Sequence, residues 1–194
     1  KYARNKNWKW SSNFLIGKEL NQARLGILGM GRIGRAVANR ARSFGMKIHY
    51  YNRVRLAPDL EKESIYHNNI KSLFSVSDFL SINCTATEET KYIINKKTLN
   101  YFPNGAVIAN SARGEIIEDD SMIEALKSGK IYSLGLDVYN GEPNIHPEYL
   151  TLSNVFVLPH LGSATYKTRK AMSDLTINNL KEFFENGNCK NAVN

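Results

Sequence analysis

The sequence has 194 residues with a hydrophobic content of 42%, which is ordinary for one globular domain with extensions. It contains no apolar run of the roughly 20 residues that a membrane span requires, and its first residues do not resemble a signal peptide. Cys84 and Cys189 are far apart and outside any C-x-x-C motif, so neither a disulfide framework nor a zinc site is indicated. We expect a cytoplasmic protein without a metal ion or a membrane partner.

The positive charge is concentrated at the start of the chain. The net charge is +8, and residues 1–55 contain a single acid, Glu19, among many lysines and arginines. This pattern is compatible with a solvated face, with attraction of an anionic cofactor, or with nucleic-acid binding. Few aromatic residues alternate with these bases after Trp10, so no nucleic-acid partner is expected.

Residues 1–23 are predicted to form a partly helical arm. Trp8, Trp10 and Phe14 lie there among Asn and Ser residues without a clear period. Because exposed tryptophans are costly, we expect them to pack on another domain or subunit rather than to stack on bases. The arm therefore suggests a homodimer in which each arm crosses the neighbouring subunit.

The next stretch has the order of a dinucleotide-binding motif. A buried strand is predicted at 25–28 and a helix at 32–44, with Ile33, Val37 and Ala41 on one face. The G-x-G-x-x-G motif between them consists of Gly29, Gly31 and Gly34. These glycines would permit a tight turn, the approach of a pyrophosphate to the backbone, and close packing of helix on strand. The phosphates would then lie at the helix N-terminus.

The rest of the chain continues to alternate between strands and helices. Further strands are predicted at 47–51, 65–67, 78–83, 106–109, 132–138 and 155–158. Further helices are predicted at 70–76, 96–101, 118–128 and 165–186. The alternation predicts the α/β class, a doubly wound parallel sheet with right-handed crossovers and a ligand site at the carboxyl ends of its strands.

The end of the second strand indicates which dinucleotide is bound. An NAD site commonly carries Asp or Glu about twenty residues after the motif, whereas this chain has Asn52, followed by Arg53 and Arg55. A guanidinium can donate two charge-assisted hydrogen bonds to a 2′-phosphate. We therefore expect a preference for NADP(H). The alternative is that both arginines are exposed loop charges and that NAD(H) is used.

Three polar segments follow later strands and supply Arg113, Glu142 and His160. In carbonyl reduction a histidine can donate a proton, a carboxylate can fix its tautomer, and an arginine can hold a substrate carboxylate. Each residue also has a structural interpretation, in which Arg113 caps a loop, Glu142 is a surface residue and His160 supports the fold. The other candidates for a catalytic acid are His49, His67 and His146.

These motifs resemble those of the D-isomer-specific 2-hydroxyacid dehydrogenases, and especially of glyoxylate and hydroxypyruvate reductases. GMGRIG, NSARGE, GLDVYNGEP and LPHLGSAT occur in the family's order and approximate spacing. The resemblance implies a Rossmann-type sheet and hydride transfer between NADP(H) and a small 2-oxo or 2-hydroxy acid. It also implies that Arg113 binds and polarises the substrate, that His160 is the proton donor, and that Glu142 is the partner of His160.

The resemblance extends to the residues that would contact the cofactor. Asp137 would face the nicotinamide carboxamide, and Arg32 and Ile33 would offer backbone amides to the pyrophosphate. The other residues expected at the cofactor are Met30, Cys84, Thr85, Asn110, Ser111, Ala112, Gly162 and Ser163. Family members often carry proline at the position of Thr85, so a free backbone N–H and a different loop stiffness are expected there.

The resemblance also predicts a domain organisation. Residues 24–164 would form the dinucleotide-binding domain, residues 1–23 the inter-domain helix and arm, and residues 165–194 a helix and tail that return toward a substrate domain. The amino-terminal segment of that substrate domain, which forms the other wall of the cleft in relatives, is absent from this sequence. We therefore expect cofactor binding with poor turnover. The alternative function is a corepressor-like, nucleotide-sensing module of the same fold.

Overall fold

Seven parallel strands form one sheet in the part of the chain that the computed structural model describes, namely residues 6, 8 and 10–192. The strands are β1 (Arg24–Leu28), β2 (Lys47–Tyr51), β3 (Ile65–His67), β4 (Phe79–Ile82), β5 (Ala106–Asn110), β6 (Ile131–Leu136) and β7 (Val155–Val157). Their order across the sheet is β3-β2-β1-β4-β5-β6-β7. This order confirms the predicted Rossmann-type, doubly wound sheet.

Helices connect successive strands, and one further helix follows β7. They are α1 (Arg32–Ser43), α2 (Pro58–Glu61), α3 (Ile70–Val76), α4 (Lys96–Leu99), α5 (Asp119–Lys127), α6 (Pro147–Thr151) and α7 (Tyr166–Asn186), with a 3-10 helix at Gly114–Ile116. The sequence did not predict α2, α6 or the 3-10 helix, because segments of three to five residues have no measurable period. The other helices and strands lie where they were predicted, with ends that differ by one or two residues.

The predicted helical character of the arm is not seen among its described residues, which form turns at residues 12–15 and 21–22. Trp8 and Phe14 stack with ring centroids 6.3 Å apart. The arm contacts the sheet near β6, where the hydroxyl of Tyr132 donates to the carbonyl oxygen of Ile16 and the ammonium of Lys18 lies over the Tyr132 ring. Trp10 is 85% exposed.

The buried face of α1 differs from the prediction. Gly34, Ala38 and Ala41 are buried, whereas Ile33 is 66% exposed. Only small residues fit on the face that approaches β1, because a Cβ on Gly34 would lie 2.3 Å from the carbonyl oxygen of Gly29. The helix is therefore rotated by about one residue from the face that Ile33, Val37 and Ala41 suggested, and it can lie close to the sheet.

Two clusters of buried apolar side chains hold the sheet and its helices together. The smaller cluster joins β1, β2 and α1, with Ile27, Ile48 and Ala38 among its members. The larger cluster extends from β4 to β6 and includes Phe102 and side chains of α3, α4 and α5, such as Phe74. Burial of apolar surface in these clusters fixes the positions of the strand ends that carry the polar residues.

The last helix, α7, has no buried residue. Its apolar side chains that are at least half exposed are Tyr166, Met172, Leu175, Ile177, Leu180, Phe183 and Phe184. Among the described helices, none is both long enough and apolar enough to cross a membrane.

Candidate active site

A cavity of about 370 Å³ lies at the carboxyl ends of β1, β2 and β4. The chain passes from β1 outward to β2 and β3 and then returns to β4 on the other side of β1. Open parallel sheets bind ligands at such a switch point. The cavity is lined by Leu28, Gly29, Gly31, Tyr51, Asn52, Arg53, Val54, Asn83, Cys84, Thr85, Thr87, Thr90 and Ile93. Sequence reasoning had selected six of them: Gly29, Gly31, Asn52, Arg53, Cys84 and Thr85.

The three glycines of the motif meet different steric demands. Gly29 has φ = +96°, and a Cβ there would lie 2.5 Å from the backbone nitrogen of Cys84. Gly31 has no neighbouring heavy atom within 4 Å of the position of a Cβ, so its side chain would project into open space. Gly31 also precedes α1 without providing a side-chain cap. The first turn of α1, including Arg32 and Ile33, therefore offers backbone amides that suit an anion such as a pyrophosphate.

Asn52 stabilises the glycine loop. Its Oδ1 atom accepts a hydrogen bond of 2.6 Å from the backbone N–H of Met30, and Met30 itself is buried. Gly29 adds a backbone hydrogen bond of 3.0 Å to the carbonyl oxygen of Tyr51. The residue that follows β2 thus shapes the glycine-rich turn as well as lining the cavity.

The two arginines after β2 have different surroundings. Arg53 lines the cavity, its side chain is 78% exposed, and its Nη1 lies 3.6 Å from Oε2 of Glu89. Arg55 is not part of the cavity wall and instead donates to both carboxylate oxygens of Glu61, at 3.0 and 2.9 Å. Glu61 is buried and also accepts from the hydroxyl of Tyr50. The bond from Arg55 holds the pKa of the Glu61 carboxyl below its usual value.

Sequence reasoning missed several residues of the cavity wall on the side of β4. Asn83 directly follows this strand, and its Oδ1 is buried without a hydrogen-bond partner among the described residues. Thr87 and Thr90 lie in the following loop, where the hydroxyl of Thr90 accepts from the N–H of Thr87. One feature of the sequence could have identified these residues: they are polar and follow a strand that lies next to β1. Burial raises the pKa of the neighbouring Cys84 thiol to about 11, which favours its protonated form near neutral pH.

The loop after β5 presents Arg113. The buried side chain of Asn110 folds this loop, accepting from the N–H of Ala112 and donating to the carbonyl oxygen of Arg113. The guanidinium of Arg113 donates to the carbonyl oxygen of Ala112 at 2.6 Å, and Ser111 is exposed. A Cβ on Gly114 would overlap the carbonyl group of Tyr139, so the loops after β5 and β6 touch each other here.

Glu142 and His160 are in direct contact. His160 Nδ1 lies 2.7 Å from Oε2 of Glu142, while Oε1 accepts from the N–H of Tyr139. The hydrogen bond from His160 holds the pKa of the Glu142 carboxyl below its usual value, and the charge of Arg113 acts in the same direction. An ionised Glu142 keeps a proton on Nδ1 and leaves Nε2 as the atom that can exchange a proton with a ligand.

Asp137 holds the loop that carries His160. Its two carboxylate oxygens accept from the backbone N–H groups of Leu161 and Gly162, at 2.7 and 2.8 Å. His160 has φ = +53°, in the left-handed region, so its backbone is strained and depends on such contacts. Ser163 follows as a partly buried residue. The predicted contact of Asp137 with a nicotinamide carboxamide stays a prediction.

A second network supports the loop that carries Glu142. Asn140 donates to Oδ2 of Asp119 at 3.1 Å, and the hydroxyl of Tyr149 donates to Oδ1 of the same carboxylate at 3.0 Å. Asp119 is the first residue of α5, and Tyr149 belongs to α6. The loop between Asp137 and Glu142 is thus fixed from two helices before any ligand binds.

The other histidines have different roles. Nδ1 of His49 and Nε2 of His67 lie 2.9 Å apart, between neighbouring strands β2 and β3. His146, which was expected in a loop, accepts from the N–H of Glu148 and caps α6. Among the described residues, no group of three or more His, Cys, Asp or Glu side chains is arranged to hold a metal ion. All four histidines lie in the described part of the chain, and His160 is the one that pairs with Glu142, whose carboxyl also experiences the charge of Arg113.

Comparison with protein families matches residues 1–162 to the NAD binding domain of D-isomer specific 2-hydroxyacid dehydrogenases. A 4-methyl-2-oxopentanoate reductase A of Aspergillus oryzae is 43% identical over 179 residues, which are 92% of this chain and 54% of the relative. The chain thus spans about half the length of the curated relatives it matches.

Solved structures agree with this match. A glyoxylate reductase from Paecilomyes thermophila superposes with a TM-score of 0.90 at 42% identity, covering 97% of this chain and 56% of that one. An NADPH-dependent glyoxylate/hydroxypyruvate reductase from Sinorhizobium meliloti, in complex with NADP and malonate, has a TM-score of 0.85 at 32% identity. That match covers 97% of this chain and 57% of the other.

Proposed function

Because the chain belongs to the D-isomer specific 2-hydroxyacid dehydrogenases and contains their NAD-binding domain, we propose that it binds NADP(H) and acts in the reduction of a small 2-oxo acid such as glyoxylate or hydroxypyruvate. The observation that carries this proposal is the 2.7 Å contact between His160 Nδ1 and Glu142, at the sheet edge that also holds the cavity. A histidine oriented in this way suits proton transfer to a carbonyl oxygen.

Arg113, His160 and Glu142 have different roles in the proposed reduction. A bound nicotinamide cofactor supplies the hydride for the carbonyl carbon. Arg113 holds the substrate carboxylate and polarises the carbonyl group. His160 donates the proton on Nε2 to the carbonyl oxygen, and the carboxylate of Glu142 stabilises the imidazolium that precedes this transfer. Asp137, through the N–H groups of Leu161 and Gly162, keeps the imidazole in place.

The charge at the end of β2 supports the proposed preference for NADP(H). Asn52 provides no carboxylate to repel a 2′-phosphate, because it carries an amide that binds the glycine loop. Arg53 lies in the cavity wall with its guanidinium exposed. A guanidinium at this place can donate charge-assisted hydrogen bonds to the phosphate. Arg55 contributes less, since Glu61 already binds it.

Titration calorimetry of the chain with NADPH and with NADH, at one ionic strength, tests the cofactor part of the proposal. We expect NADPH to bind at least about tenfold more tightly, which corresponds to about 1.4 kcal/mol. The preference should disappear in an Arg53→Gln variant that retains NADH binding. Equal or tighter binding of NADH by the wild type would contradict the NADP(H) preference, and binding of neither dinucleotide to the folded chain would contradict the cofactor assignment.

We further propose a homodimer in which the arm contributes to the interface. The support is the exposure of Trp10, Leu15 and Ile16 on an arm that is attached to β6 through Tyr132. Light scattering coupled to size-exclusion chromatography would give twice the mass of the chain. A Trp10→Ser, Ile16→Ser double variant should shift the protein toward the monomer, and an unchanged dimer would contradict a role for the arm.

A further inference from the structure

The exposed guanidinium of Arg53 is paired with the carboxylate of Glu89. Glu89 lies between Thr87 and Thr90, two residues of the cavity wall, in the loop that follows β4. Its Oε2 is 3.6 Å from Nη1 of Arg53, which belongs to the loop that follows β2. The ion pair therefore connects two loops that both contribute residues to the cavity wall.

This pair differs from the one formed by Arg55. Glu61 is buried, binds both Nε and Nη2 of Arg55 and also accepts from Tyr50, so three hydrogen bonds hold it in place. Arg55 therefore has a structural role. The side chain of Glu89 is 73% exposed and makes a single long contact with Arg53. Separating the two side chains therefore requires little free energy.

We propose that Glu89 is a specificity residue, which lowers the preference for NADPH by competing with the 2′-phosphate for Arg53. This inference rests on the proposed binding of NADP(H), and it concerns the adenosine end of the cofactor. NADH carries a hydroxyl at this position, so its binding does not require Arg53 to leave Glu89.

Two electrostatic effects make Glu89 act on one cofactor and not on the other. Arg53 must exchange the carboxylate for the phosphate, and the released carboxylate stays near the phosphate as a like charge. Neither effect applies to the ribose hydroxyl of NADH, because it is uncharged and does not need Arg53. Because both side chains are largely exposed, water and salt screen the effect, and we expect a change of a few-fold rather than orders of magnitude.

The test measures the dissociation constants of NADPH and NADH for the wild-type chain and for Glu89→Gln, a change that keeps the shape of the side chain and removes its charge. We expect NADPH to bind about two- to fivefold more tightly to Glu89→Gln. NADH binding should stay within about 1.5-fold, and the gain for NADPH should shrink as NaCl is raised from about 0.05 to 0.5 M. Glu88→Gln is the matched control, because it removes an equal charge from the adjacent exposed residue and should give a smaller gain.

A double-mutant cycle with Arg53→Gln separates pairing from general charge. If Glu89 acts by competing for Arg53, most of the gain from Glu89→Gln is lost in the Arg53→Gln background. An equal gain in that background, an equal gain from Glu88→Gln, or an equal change for NADH would each overturn the proposal while the proposed function stands. If neither dinucleotide binds the folded wild-type chain, the proposed function fails and this inference fails with it.

Discussion

The imidazole of His160 is half exposed, and its position is fixed by contacts with Glu142 and Asp137. Glu142 binds Nδ1, and Asp137 binds the two backbone amides that follow. The left-handed backbone at His160 costs free energy in a residue other than glycine, and these contacts offset that cost. These contacts leave Nε2 of the imidazole as the ring nitrogen that Glu142 does not bind.

Replacement of His160 by glutamine should separate chemistry from cofactor binding. In glyoxylate reduction with NADPH we expect kcat to fall by about 10²- to 10⁴-fold, the usual contribution of general acid catalysis. The dissociation constant of NADPH should stay within about twofold, because His160 does not line the cavity. A variant that retains wild-type kcat would exclude His160 as the proton donor.

At the scale of elements, the connection from β1 to α1 has two glycines with opposite constraints. Gly34 is confined by the backbone of Gly29, whereas Gly31 borders open space. The same substitution at the two positions should therefore have different consequences, although both residues belong to one motif of six residues. We expect Gly34 to be important for stability and Gly31 to be important for cofactor binding.

We expect Gly34→Ala to lower the free energy of unfolding by about 1–3 kcal/mol, since the backbone that its Cβ meets cannot easily move. Gly31→Ala should leave this free energy within about 0.5 kcal/mol of the wild type. NADPH should nevertheless bind Gly31→Ala at least about tenfold more weakly, because the methyl group occupies the space of the pyrophosphate. Urea unfolding and calorimetry check these values. An unaltered NADPH affinity of Gly31→Ala would place the phosphates elsewhere.

The strands β2 and β3 are joined by the contact between His49 and His67. Burial lowers the pKa of both imidazoles, and the charges of His67 and Arg24 lower that of His49 further. The unfolded chain, with histidine pKa values near about 6.5, binds more protons than the folded chain just below that pH. The contribution of this pair to stability is therefore present above about pH 6.5 and is lost as the pH falls through the folded pKa values.

Urea unfolding between about pH 7.5 and pH 5 should show this loss for the wild-type chain. In a His49→Asn, His67→Asn double variant the free energy of unfolding should vary less over the same range, because neither asparagine titrates. An identical pH dependence of the two proteins would mean that other groups cause the change.

At the scale of the whole molecule, the sheet and its covering helices contain the buried apolar side chains, while α7 contains none. Leu134 in β6 is completely buried, and Leu180 in α7 is 52% exposed. We expect the stability of this chain to depend on the first leucine and to be almost independent of the second.

The two leucines allow a matched comparison. Leu134→Ala should lower the free energy of unfolding by about 2–5 kcal/mol, the cost of a cavity in a packed core. Leu180→Ala should change it by less than about 1 kcal/mol, because alanine favours the helix and little surface is exposed anew. Chemical unfolding of both variants measures the difference. A large loss for Leu180→Ala would show that α7 packs against another part of the protein in solution.

Much of this organisation could be predicted from the sequence. The alternation of apolar runs with helical patterns gave the order of strands and helices, and the glycine motif located the cavity. The family resemblance is confirmed by the match over residues 1–162. The exposed position of Ile33 was not predicted, because hydrophobic periodicity does not account for a helix that approaches a strand through Gly34 and Ala38.

The partners of the site residues were harder to predict. Nothing in the spacing of Arg55 and Glu61 indicates that the two side chains meet, because α2 is only one turn long and its orientation depends on Tyr50. The hydrogen bond from Met30 to Asn52 likewise depends on a contact between two loops. The roles of Arg113, Glu142 and His160 in the reaction stay predictions, although the contact between the last two residues makes a joint role physically reasonable.

The carboxylate of Asp137 is bound by two consecutive backbone amides, an arrangement in which loops often capture an anion from solution. Here the anion belongs to the chain itself. The loop at residues 160–162 therefore loses its conformational freedom during folding, and a ligand that arrives later does not have to order it. One consequence is kinetic: the amide hydrogens of Leu161 and Gly162 should exchange slowly with deuterium even in the ligand-free protein, although both residues lie at the surface.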